Sequence, residues 1–180
     1  MEQAKIGLPL ASPPDPLIWF NSFDTLIAME LPAWERSVKK QLIKSSKIYF
    51  FDTGVLNAIR KELGIEISGS SLRSGKLFES FIINEIYRNN HYHEWSYSLY
   101  HWRTKNGEEV DLVLNKNKMS HPIALEIKMT TEVIEDDLKG LIAFKNEEKK
   151  ARLICVCNTP KNYMVEGVEI INWKDIFSML

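Results

Sequence analysis

The chain has 180 residues, 44% hydrophobic and 26% charged, enough for one well-packed domain and marginal for two. Its 23 Lys and Arg against 24 Asp and Glu give a formal net charge of −1, which excludes a uniformly basic DNA-coating module and makes any nucleic-acid contact local. Cys155 and Cys157 are too few and too close for a disulfide framework, no apolar run is long enough for a bilayer, and no charged start precedes an apolar leader, so the expected setting is the cytoplasm with no membrane.

Four of the seven prolines, Pro9, Pro13, Pro14 and Pro16, lie in the first sixteen residues, where no apolar period is sustained. The expectation is an irregular arm over 1–33, in which Pro32 interrupts an apolar run, followed by one globular domain over 34–180. Residues 34–47 hold Arg36, Lys39, Lys40, Lys44 and Lys47 against Glu35, so this window carries +4 and the remainder −5. Residues 48–51 read as a short buried strand, Asp52 as a helix cap, and Val55, Leu56, Ile59 and Leu63 follow helical spacing. A polar loop with Gly64 and Gly69 leads to Ser74-Gly75, after which Leu77, Phe78, Phe81, Ile82 and Ile86 mark a strong amphipathic helix. Extended segments at 96–103, 109–115 and 122–128, the first two joined by an Asn106-Gly107 turn, predict an antiparallel meander. Ile134, Leu138, Leu141 and Ile142 predict a second helix, 153–157 a buried strand, and 168–171 a last strand leading into Trp173 and Phe177.

Strand alternation sorts the polar residues of the meander. Ile123, Leu125 and Ile127 point one way and Ala124, Glu126 and Lys128 the other. In the preceding strand Val110, Leu112 and Leu114 share one face and Asp111, Val113 and Asn115 its opposite, so Asp111 can approach Glu126 across the pair. Two nearby carboxylates repel unless a cation neutralises them, and Lys128 offsets only one charge; oxygen-ligand Mg²⁺ sites are commonly built this way. On the helix, with Leu77 at zero, Glu79 falls at about 200° beside Ile86 at about 180°, so it borders the buried face and needs a cation or water.

Those residues and that element order resemble the PD-(D/E)xK nuclease superfamily, with Glu79 as the helix acid, Asp111 as the hairpin acid and Glu126-Ile127-Lys128 as the acid-x-Lys. A closer resemblance is to the uncharacterised C-terminal domain of a family of prokaryotic AAA-type ATPases. Its matching stretches are 47–54, Gly75-Lys76-Leu77-Phe78-Glu79, Trp102-Arg103, 107–111, Glu126-Ile127-Lys128, Leu138-Lys139-Gly140-Leu141 and Trp173, spread over 34–180. The family's larger members carry a P-loop module, whereas Gly69 and Gly75 here are separated by five residues and Leu77 follows Lys76 where a hydroxyl is required, so this chain alone is not expected to hydrolyse ATP, and the resemblance adds a remnant of an ATPase-side connection as the alternative reading of the arm over 1–33. The resemblance implies an α/β, restriction-endonuclease-like core with a central mixed sheet flanked by helices. It further implies DNA phosphodiester hydrolysis with Mg²⁺ or Mn²⁺, with Asp111 and Glu126 as metal ligands, Glu79 as auxiliary ligand and Lys128 orienting water or stabilising negative charge. The alternative it implies is a noncatalytic docking or regulatory domain partnering an AAA-type ATPase.

Arg36, Lys39 and Lys40 are candidate phosphate contacts, and Trp102-Arg103 a candidate base-stacking and phosphate pair. Their competing readings are a solvated helix face and a core aromatic. Asp52-Thr53-Gly54 matches the loop of aspartic proteases, but a single copy before a helical pattern favours a cap. His91 and His93 alternate like zinc ligands without further ligands to complete a set. The acids Glu132, Glu135, Asp136 and Asp137 suit a helix N-terminus and would repel DNA if they bordered the site.

Overall fold

The computed structural model describes residues 28–35, 45–59 and 71–180, so Arg36, Lys39, Lys40, Lys44, Leu63 and the expected arm up to residue 27 lie outside the described residues. Along the chain the strands are β1 (Ala28–Leu31), β2 (Lys47–Phe50), β3 (Ser98–Arg103), β4 (Glu109–Asn115), β5 (Ile123–Ile127), β6 (Arg152–Cys157), β7 (Tyr163–Val165) and β8 (Val168–Asn172). The helices are α1 (Thr53–Ile59), α2 (Leu72–Tyr92), α3 (Glu135–Glu147) and α4 (Ile176–Met179). β1 and β2 form an antiparallel pair of their own, and the other strands make one mixed six-stranded sheet in the order β3-β4-β5-β6-β8-β7. The predicted meander is present as antiparallel β3-β4-β5, while β5, β6 and β8 run parallel and β7 returns antiparallel on β8. The fold is therefore α/β, a mixed sheet with helices on its faces.

Helix starts follow local chemistry. Asp52 Oδ1 accepts from the backbone N–H of Gly54 at 2.6 Å and Val55 at 3.0 Å, so Asp-Thr-Gly here caps α1. α2 starts earlier than its apolar residues suggest, because Ser71 Oγ accepts from Ser74 N at 3.1 Å and caps the helix before Gly75. At α3 the Asp137 carboxylate reaches back to Ile134 N at 3.2 Å.

The sheet divides the core in two. α2 lays Ile82, Ile83 and Ile86 on Leu112, Leu114, Leu125 and Ile127, with Met29, Leu31 and Tyr49 of the small sheet joining this side. α3 lays Leu138, Leu141 and Phe144 on Trp102, Val110, Val113 and Ala124. Val110 is thus on the α3 side with Val113, not with Leu112 and Leu114 as strict alternation predicts. The pairing with β3 slips by one residue, Tyr100 facing Val113 and Trp102 facing Val110, so β4 carries a bulge across Asp111 and Leu112. A bulge re-aims the side chains it contains, and this one brings Asp111 toward the side of α2. β1 and β7, which the sequence did not mark, are short and defined by their partners: Pro32 ends β1, and the chain beyond it covers the β3 edge through His101 N to Pro32 O at 2.9 Å and Trp34 N to His101 O at 2.6 Å.

α3 approaches β4 closely at Gly140, where an added Cβ would stand 1.9 Å from the Glu109 carbonyl oxygen. Gly75, on α2, has nothing within 4 Å of the same position. Gly140→Ala is expected to cost about 1–3 kcal/mol through overpacking. Gly75→Ala is expected to stabilise by about 0.5–1 kcal/mol through helix propensity. Urea unfolding of the two variants beside wild type checks both signs.

Candidate active site

Glu79 enters the fold as a buried acid on α2, and the structure supplies the partners that its position requires. Tyr49 Oη donates to Glu79 Oε1 at 2.7 Å and Lys76 Nζ to Oε2 at 2.6 Å, so both carboxylate oxygens are engaged. Lys47 Nζ stands 3.9 Å from Glu79 Oε1. Burial first, then the negative charges of Glu79 and Asp111, push the Tyr49 hydroxyl well above its ordinary pKa, so it stays a donor.

Asp111, buried at the bulge, takes the place of a backbone acceptor: its Oδ2 accepts from Ile127 N on β5 at 2.9 Å. Its Oδ1 lies 3.9 Å from Lys47 Nζ. One residue beyond the Leu112 and Leu125 pair, the register brings Asp111 opposite Glu126. Burial, followed by repulsion from Glu79 and opposed by Lys47, pushes the Asp111 carboxyl up to about 7. Glu126 is also held well above the ordinary carboxylate range, by burial and then by Asp111, with Lys128 opposing. Lys128 Nζ contacts Glu126 Oε1 at 3.0 Å and lies 3.8 Å from Asp137 Oδ1 on α3, so the acidic run does border the site. Glu126 Oε2 is buried without a hydrogen-bond partner.

Glu109 completes the group at its rim. It pairs with Lys47, and Arg103 Nη1 lies 3.7 Å from its Oε2. Burial alone would raise the Glu109 carboxyl, but the Lys47 and Arg103 charges outweigh it and hold it below its ordinary value. Burial would likewise lower Lys47, and Asp111, Glu79 and Glu109 together raise it.

Four sequence-predicted residues, Glu79, Asp111, Glu126 and Lys128, are therefore brought into one electrostatic cluster. Trp102 is not available for base stacking: it is 3% exposed, edge-on to Phe144 at 5.4 Å, with its indole N–H on Glu147 at 3.2 Å. Its place opposite Val110 on the α3 side makes it a core aromatic. Arg103 is half-exposed beside Glu109, and Arg36, Lys39 and Lys40 lie outside the described residues. Lys47, Tyr49, Lys76 and Glu109 were not singled out as site residues from the sequence. The available signal was period two in β2, which puts a lysine and a tyrosine on one face of an otherwise apolar strand.

Carboxylate oxygens are the hard donors Mg²⁺ and Mn²⁺ take. Among the described residues no three His, Cys, Asp or Glu side chains stand close enough to share one ion, and His91 Nδ1 is engaged with Tyr87 O at 2.8 Å. With both Glu79 oxygens occupied, Asp111 Oδ1 and the orphaned Glu126 Oε2 are the oxygens open to a cation. A shell of one or two carboxylates completed by water is the usual Mg²⁺ arrangement, and the donor set fits it.

The Asp111 carboxyl ionises near 3.8 when unfolded and near about 7 when folded, so the native state holds the extra proton between those values. Its contribution to stability is full below the lower value and is lost as pH rises through the upper one. The melting temperature in EDTA is expected to fall between about pH 4 and about pH 7 and to level off above, with the slope reduced in Asp111→Asn; pH-resolved thermal melts check this. Tyr49→Phe removes a hydrogen bond to Glu79 and is expected to cost about 1.5–3 kcal/mol in denaturant titration.

Residues 74–176, more than half of the chain, match the family described as Domain of unknown function (DUF4143). An uncharacterized protein of Mycobacterium tuberculosis, Rv2008c, and one of Mycobacterium bovis, Mb2031c, are each 31% identical over 114 residues, covering 60% of this chain. The matched part is 23% of each relative's length. No solved structure matches the chain. Among the described residues no helix is long and apolar enough to cross a membrane. On the match across its sheet and both flanking helices, the chain belongs to the DUF4143 family.

Proposed function

We propose that the chain is a metal-dependent phosphodiester hydrolase domain of the PD-(D/E)xK type, acting on DNA in the cytoplasm with Mg²⁺ or Mn²⁺. The observation that carries this reading is the pair Asp111 and Glu126. They are buried carboxylates on adjacent strands, both raised in pKa, with one Glu126 oxygen lacking any hydrogen-bond partner. A pair in that state calls for a cation beyond the lysines around it. Asp111 Oδ1 and Glu126 Oε2 would hold the ion, with Glu79 behind them ordering Lys76 and Tyr49. When bound, a divalent ion there lowers the pKa of its water and neutralises a phosphate. Lys128, on Glu126 Oε1 and about one-third exposed at 35%, has its ammonium at the mouth of the cluster, where it can orient water or meet charge developing on a phosphate. Lys47, Lys76 and Lys128 face Glu79, Glu109, Asp111, Glu126 and Asp137, so these side chains alone do not attract a polyanion.

A second reading, a noncatalytic docking or regulatory domain for an AAA-type ATPase, is favoured by the internal neutralisation of Glu79. A site whose acids are already engaged by Tyr49, Lys76 and Lys47 can serve as a structural ion network. It is also favoured by the matched part being only 23% of each mycobacterial relative. No ATP hydrolysis by this chain alone belongs to either reading.

Single-stranded, duplex and supercoiled DNA incubated with Mg²⁺, Mn²⁺ or EDTA distinguish the two. Metal-dependent cutting is expected from wild type, reduced about 100-fold or more in folded Asp111→Ala and Lys128→Ala. No cutting of any substrate by wild type, with stable binding to an AAA-type ATPase, would favour the docking domain.

A further inference from the structure

Lys47 is a cation in an unusual place. It opens β2, a strand outside the six-stranded sheet, yet its ammonium reaches into the acid cluster between α2 and β4. The residue is 8% exposed, so its charge is met by protein more than by water. It stands 3.9 Å from Glu79 Oε1 and 3.9 Å from Asp111 Oδ1, and it pairs more closely with Glu109 at the rim. Among the described residues it is the one ammonium within ion-pair distance of Asp111.

We propose that Lys47 is the resident counter-ion of the acid cluster, and that its ammonium and a divalent cation compete for the Asp111 carboxylate. This rests on the divalent-cation reading of the same site. An ion bound to Asp111 Oδ1 would lie no more than about 6 Å from Lys47 Nζ, the 3.9 Å ion-pair distance plus a metal–oxygen bond of about 2.1 Å, and two cations that close in a water-poor cluster repel. Lys47 keeps a carboxylate partner when such an ion is bound, because Glu109, itself partly exposed, already pairs with it. The small sheet that carries Lys47 is thereby coupled to metal occupancy: without metal the lysine bridges β2 to Glu79 on α2 and to Asp111 and Glu109 on β4, and with metal it would keep Glu109 alone. Lys47 thus sets how tightly the site takes a divalent ion. Its role is that of a positioning residue and does not involve contact with reacting atoms.

The test is Mn²⁺ titration of the full chain by calorimetry, without DNA, alongside thermal melts in EDTA and in Mn²⁺. Lys47→Met is expected to bind Mn²⁺ about tenfold more tightly than wild type, to melt lower in EDTA and to regain the difference in Mn²⁺. Lys47→Arg, which keeps the charge, is expected to bind Mn²⁺ no more tightly than wild type. Adding Asp111→Asn to Lys47→Met is expected to abolish the gained affinity and to restore the melting temperature in EDTA, since charge and counter-charge leave together. Equal Mn²⁺ affinity of Lys47→Met and wild type, including none in either, overturns the proposal. If Lys47→Met does not fold, a double variant that folds supports the counter-ion role, whereas one equally unfolded assigns Lys47 to packing and overturns it. Tighter Mn²⁺ binding by Lys47→Met with no DNA cleavage by wild type keeps this inference and removes the nuclease reading. Wild-type cleavage with unchanged Mn²⁺ affinity in Lys47→Met does the reverse.

Discussion

Buried carboxylates set the terms for this fold. Glu79, Asp111 and Glu126 sit within apolar packing where an unpaired charge is prohibitive, and they stand on three elements, α2, β4 and β5. Glu79 takes Tyr49 and Lys76, Asp111 takes the Ile127 amide and Lys47, and Glu126 takes Lys128. These links cross from β2 to α2, from β2 to β4, and from β4 to β5. The small β1-β2 sheet, which among the described residues meets the larger one in backbone pairing only through the bridge of Ala33 to His101, is thus joined to it by ion pairs and hydrogen bonds as well as by Met29, Leu31 and Tyr49 in the core.

Two backbone devices make the cluster possible. The bulge in β4 departs from alternation at Asp111 and brings it toward Glu79 while its Oδ2 still serves β5. On the opposite face Gly140 allows α3 to rest on the Glu109 carbonyl, which places Asp137 near Lys128 and keeps β4 between two packed layers. The acidic start of α3 therefore both caps its own helix and adds negative charge beside Lys128.

Membership of the DUF4143 family fixes the ancestry of this sheet and its two flanking helices but not its chemistry, because folds carry sites that differ in function. Within this chain the buried cluster is a balance between carboxylates and lysines. The two proposed readings would make opposite use of it: hydrolysis would need the balance broken by a divalent ion, and docking would need it kept closed. Lys47 is the side chain on which that balance turns, since it alone among the described lysines approaches both Glu79 and Asp111.

Local pattern determined much of this molecule. The meander, the amphipathic α2, the helix of Leu138 and Leu141, the buried Leu153 to Cys157 run and the Asp52 cap follow from period two, period 3.6 and short-range hydrogen bonding, which need only neighbouring residues. The positions of Glu79, Glu126 and Lys128 on their own elements follow from the same periods, whereas period two placed Asp111 on the face of Val113 and the bulge turned it toward α2. Tertiary structure alone decided the rest. β1 and β7 exist because partners pair with them, Val110 and Asp111 depart from alternation because β4 bulges against β3, and Trp102 fills the core because α3 covers it. Lys47 and Tyr49 meet Glu79 across about thirty residues, and a contact of that range depends on how separate elements pack, which no local period encodes.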